Sequence, residues 1–121
     1  MRAWVFAPLL WLLALPAWAD ARMTVLVDLL ELRQAAVILS DEGQAHAEVL
    51  NQDMLGGQGG PAWQMQVESI HDSERMVEMV RRALEETMTA EEVEKTIAFY
   101  STELGRRIVG LENAARAAIA E

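Results

Sequence analysis

The chain has 121 residues, enough for one domain. It carries 10 basic and 19 acidic side chains (net −9) and no cysteine. Sixteen of the first 19 residues are apolar, and removing that stretch takes away only Arg2 among the charges. The remaining 102 residues then carry a net −10 and are too apolar for a disordered chain. These figures exclude a large enzyme, a collagen, a disulfide scaffold, a thiolate metal centre and a polytopic membrane protein.

The N-terminus reads Met1-Arg2 and then an apolar run from Ala3 to Ala19, interrupted by Pro8 and Pro16. One positive charge, a hydrophobic stretch and a small-x-small end at Ala17-Trp18-Ala19 are the three parts of a secretory signal peptide. Pro16 predicts an extended cleavage segment. A membrane anchor would need about 20 apolar residues, and this run is shorter and twice broken by proline. The expectation is cleavage after Ala19, with Asp20 as the first mature residue. The destination is then the periplasm, with secretion as the alternative. No cysteine follows the leader, so none offers a site for lipid attachment.

After residue 20 the period is helical, with no sustained alternation. Residues 24–39 are densely apolar, with Thr24 as the expected N-cap and Arg33-Gln34 as the expected joint between a short helix and a longer one. The longer helix is expected to run to Leu55, where Gly56-Gly57-Gln58-Gly59-Gly60-Pro61 forms a flexible linker. Pro61 suits the first turn of the next helix, which places Trp63, Val67 and Ile70 on one side. His71-Asp72-Ser73 offers a cap and a restart.

From Ser73 to Met88 the spacing puts Met76, Met79, Val80, Ala83, Leu84 and Thr87 on one face. Glu74, Glu78, Arg81, Arg82 and Glu85 lie opposite. Glu78 with Arg82, and Arg81 with Glu85, are pairs one turn apart. Thr89-Ala90-Glu91-Glu92 reads as a capping box, opening a helix whose inner face is Val93, Ile97 and Tyr100. Ser101 is the expected cap of a last helix with the stripe Leu104, Ile108, Leu111, Ala115, Ala118 and Ile119. The predicted fold is all-α: a bundle of five or six helices over residues 20–121, following a signal peptide at 1–19.

Two segments, Leu29-Leu30-Glu31-Leu32 and the run Thr89-Ala90-Glu91-Glu92 through Phe99-Tyr100-Ser101-Thr102-Glu103-Leu104-Gly105 to Ile108, resemble the exported bacterial proteins of domain-of-unknown-function family 2059. The second motif orders a cap, an aromatic pair, a second cap and a glycine, and the resemblance extends over most of residues 24–115. The linker and the Trp63 segment resemble an alphaproteobacterial branch. Thr102 stands where many relatives have proline, which predicts a weaker start to the last helix. The resemblance implies an all-helical periplasmic domain and no reaction. Because some longer relatives continue past the point matching Glu121, it also implies that this chain is a shortened relative or the front part of a longer protein.

Glu42 and His46, one turn apart and near Asp53, are the candidate metal ligands, since a carboxylate and an imidazole at that spacing can share a divalent ion. The competing reading is a solvated polar patch, because two ligands are not a site and His71 is the only other histidine. The acidic group Glu85, Glu86, Glu91, Glu92 and Glu94 flanks the Thr89 cap, which favours helix capping over acid–base chemistry. Ser40, Ser69, Ser73 and Ser101 sit in no nucleophile elbow. The glycine run lacks the lysine and preceding strand of a phosphate loop. Arg106-Arg107 is an isolated dibasic step in an acidic chain.

Phe99 cannot share the inward face of Tyr100. Gly105 and Gly110, costly in a helix, predict close approach of another helix. The first half of the last stripe, around Leu104, is expected in the core; the second half is expected to await a partner. The sequence therefore points to a non-catalytic interaction or envelope-associated module with no cofactor. Phe99, Leu111, Ala115 and Ile119 are its contact residues, and its partner is an envelope protein or a second copy. A metal-dependent hydrolase using Glu42 and His46, and a chaperone-like module with a Met-lined face at Met76 and Met79, are the alternatives.

Overall fold

Leu26 has no exposed surface, and around it Met23, Val93 and Ile97 close one of two small cores. In this computed structural model the described residues are 7–120, with side chains from Ala17 onward. The Met1-Arg2 start of the leader and Glu121 lie outside them. The described residues form six helices, α1 Ala7–Leu29, α2 Leu32–Leu55, α3 Gly60–Ile70, α4 Ser73–Thr87, α5 Ala90–Tyr100 and α6 Glu103–Ala120, with no strand among them. The all-α reading is borne out.

In the first core α1 lies on α5, with Leu29, Leu30, Leu84 and Met88 packed around it. The second core joins Val27, Ala36 and Val77, seating α4 against α2. Full burial of a leucine such as Leu26 contributes about 1.5–3 kcal/mol. α6 crosses both α2 and α5, and α3 folds back onto α2. Ion pairs pin the layers from outside. Arg22 grips both carboxylate oxygens of Glu94 at 2.5 and 2.6 Å, and Arg81 reaches from α4 to Asp20, Thr24 and Glu85.

Several local expectations are corrected. The backbone of α1 runs through Pro16, where an extended segment was expected; a proline removes one donor and need not end a helix that continues on both sides. Thr24 is not an N-cap but lies inside α1, its hydroxyl donating to the carbonyl of Asp20 one turn back. The joint between the first two helices is at Leu30-Glu31 rather than Arg33-Gln34. Glu31 adopts φ 48°, the left-handed region, with no glycine to announce it.

The glycine run between α2 and α3 forms a short hydrogen-bonded turn. Gly56 takes φ 58° to end α2, and Asn51 organises the turn by accepting from the Gly57 amide on its carbonyl and from the Gly59 amide on its side chain, both at 3.0 Å. Pro61 stands in the first turn of α3, and Asp72 caps α4 through the Arg75 amide. Trp63 and Val67 are half-buried against α2, but Ile70 is exposed.

The inner face of α4 is Met76, Val77, Arg81 and Leu84, continued by Met88 just past its end, so Met76 packs on the second core as expected, while Met79, Val80 and Ala83 face solvent. The apolar count misplaced this face because Arg81 lies inward, its stem packed and its guanidinium carried out to Asp20 and Glu85. The Thr89 capping box forms as read, with Thr89 and Glu92 exchanging bonds. α6 is capped not by Ser101 but by Thr102, whose hydroxyl accepts from the Gly105 amide at 3.1 Å. The departure from proline at 102 therefore supplies the cap.

Candidate interaction surface

The last helix has two opposed faces. Inward lie Gly105, Val109 and Asn113, spaced one turn apart and buried. Gly105 is required by geometry, since a Cβ there would stand 2.4 Å from the Phe99 carbonyl oxygen and 2.6 Å from the Tyr100 Cα. Gly110 has open space around it and marks no close approach among the described residues. Asn113 is only 1 % exposed. It donates to Glu31 at 3.0 Å and accepts from Arg116 at 2.9 Å, so its amide is satisfied deep between α6 and the α1–α2 joint.

Outward lie Leu104 and Leu111, each 60 % exposed, and Ile119 at 81 %, together with Ala115 and Ala118. The predicted stripe is therefore continuous but lies almost wholly on the outer face, with Ile108 alone half-buried. Leu104 is not core. Helical spacing locates a stripe but not the side on which the bundle sits. The inner face here is defined by a glycine, a valine and a paired asparagine, which an apolar count overlooks.

Phe99 is 45 % exposed at the foot of this face, its ring edge-on to Tyr100 with centroids 5.0 Å apart and planes at 83°. Phe99, Leu111, Ala115 and Ile119 thus lie toward solvent, spread from the end of α5 along the length of α6. Val37 is exposed on one side of α2, while Leu39 and Val49 are exposed on another, its outer face.

Glu42 and His46 share that exposed side of α2, and Asp53 is exposed further along. Among the described residues no group of three or more His, Asp or Glu side chains is arranged to hold a metal ion. His71 is engaged elsewhere: its ring nitrogen Nδ1 lies 2.9 Å from the Val67 carbonyl, and its own carbonyl accepts from Ser40.

Four of the five acidic residues have structural partners, and the fifth, Glu86, is exposed. Glu85 pairs with Arg81, Glu91 with Lys95 and Glu94 with Arg22, and Glu92 closes the capping box. Hydrogen bonds from the Thr89 amide and hydroxyl hold the Glu92 carboxyl below its usual range. The Arg22 guanidinium does the same to Glu94, and Arg22 is raised in return. Among the described residues no helix is long and apolar enough to cross a membrane.

The motif read in the sequence lies on α5 and α6, and residues 74–121, which also take in α4, match the family DUF2059, described as an uncharacterized protein conserved in bacteria. Over that span the chain is similar to this bacterial family. The resemblance is borne out over that span; the Leu29-Leu30-Glu31-Leu32 opening lies before it. No curated protein and no solved structure matches the chain. The matched span includes both faces of α6, the buried Asn113 seam and the exposed Leu104–Ile119 seam.

Proposed function

We propose that this is an exported protein-interaction module of the bacterial envelope, working by docking rather than catalysis. The signal-like run at residues 1–19 supports export to the periplasm, with secretion as the alternative destination. The observation that carries the docking role is the outer seam of α6. A surface helix of a small domain has one apolar stripe facing its own core, and apolar residues on both faces fit a helix covered from both sides. Leu104, Leu111 and Ile119 form the contact line, with Phe99 at its foot. The partner is an envelope protein or a second copy.

The exposed methionines Met54, Met65 and Met79 favour a second reading, a chaperone-like module whose soft side chains adapt to several clients. A metal-dependent hydrolase on Glu42 and His46 has less support, since neither residue is enclosed.

The test is a photoreactive residue at position 111 in the exported protein in living cells, with the exposed position 86 on α4 as control. One discrete adduct from 111, lost on Leu104→Asp and absent from 86, is the expected result. Equal labelling from 86, or none from 111, would refute the docking role.

A further inference from the structure

α1 and the corner between α4 and α5 border a groove of about 400 Å³ whose apolar lining includes Met23, Met88 and Val93, and whose outer wall is the indole of Trp18. The Arg22 Cζ lies 5.9 Å from the Trp18 ring centroid. Glu94 engages Arg22 edge-on through Nε and Nη2, at 2.5 and 2.6 Å. A guanidinium held by its edge keeps a flat cationic face free, and such a face attracts an aromatic ring. In this structure that ring is the chain's own tryptophan, one residue before the expected cleavage point.

We propose that in the processed protein this groove binds a tryptophan-bearing segment of a partner polypeptide, which takes the place that Trp18 gives up. The inference rests on the export reading above: removal of residues 1–19 bares the Arg22 face together with Met23 and Met88. Three features specify an indole flanked by small apolar residues. The guanidinium face offers a stacking partner, the two methionines adapt to an irregular apolar surface, and Trp18, half-exposed one turn before Arg22, shows that an indole reaches that face. The site is separate from the α6 seam, lying on the first core rather than on the last helix.

The experiment uses the exported protein with its N-terminus read by mass spectrometry. The probe is a synthetic peptide with the sequence of residues 15–19, Leu-Pro-Ala-Trp-Ala, followed through the methionine methyl resonances. The Met23 and Met88 methyls should shift saturably, and the same peptide with alanine for tryptophan should leave them unmoved. Arg22→Lys keeps the charge and loses the flat face, and should weaken binding about two- to five-fold, the scale of an exposed cation–π contact. A processed chain whose methyls ignore the peptide, or respond equally to the alanine version, overturns the groove proposal alone. A doubled mass with those methyls already shifted assigns the groove to a second copy and overturns it too. An exported chain that retains Trp18 overturns both this proposal and the export reading.

Discussion

Asn113 on α6 donates a 3.0 Å hydrogen bond to Glu31, the described non-glycine residue with positive φ. The bond ties the last helix to the strained joint between the first two. With φ at 48°, Glu31 sits in a conformation that costs a non-glycine residue about 1 kcal/mol or more, and its side chain offsets this by satisfying a fully buried amide. Asn113→Ala should therefore lower stability by about 1–3 kcal/mol, since it deletes the amide and leaves a void. Thermal melting of the variant beside the parent chain checks this; an unchanged midpoint would show that the joint does not depend on α6.

The two glycines of α6 should behave oppositely. Gly105→Ala drives a Cβ into the backbone at Phe99 and Tyr100 and should destabilise the protein by more than about 1 kcal/mol. Gly110→Ala meets open space and should stabilise it by about 0.5–1 kcal/mol through helix propensity. Denaturant midpoints of the two variants give the comparison, and a shared sign would contradict the packing of α5 on α6.

Acid should destabilise the α4–α5 corner. Glu92 and Glu94 both have folded values depressed by hydrogen bonds, from Thr89 and from Arg22 respectively. Their contributions are present in full above the ordinary carboxylate range and are lost as the pH falls through that range and the depressed folded values below it. Glu94→Gln should flatten the acid limb of the stability curve, as should Glu92→Gln, leaving less to lose on acidification. A variant limb as steep as the parent's would count against these pairs.

Leu104→Asp should leave the isolated chain folded, with stability within about 0.5 kcal/mol of the parent, as for most surface changes. Leu26→Ala, in the first core, should cost about 2–5 kcal/mol. Circular dichroism melts separate the two, and unfolding on Leu104→Asp would place that residue back in a core.

Much of this architecture is legible in the sequence because its signals are local. The Gly56 stop, the Asp72 cap, the Thr89 capping box and the helical period each involve residues within a few positions of one another. What escapes is the direction in which a helix faces. Arg81 counts as an outward charge until Asp20 lies beside it, and Asn113 counts as polar surface until Glu31 reaches it. Both partners are dozens of residues away. The Glu31 joint escapes for a different reason, since nothing in its residue type signals a left-handed backbone. Leu111, Ala115 and Ile119 are legible as a stripe and Phe99 as a residue turned away from the face of Tyr100, whereas Leu104, on that stripe, is exposed with them and does not belong to the core. The groove beside Arg22 was not legible, because its wall straddles the junction between leader and mature chain.

Hydrogen exchange across α6 tests the central claim most directly. If the outer seam docks a partner as proposed, then in the isolated chain the amides of 111–120 should exchange markedly faster than those of 76–84, which lie over the second core. They should gain protection when the protein is measured in its native envelope. Amides 111–120 as slow as 76–84 in the isolated chain, and unchanged in the envelope, would make α6 ordinary structure and contradict the docking account.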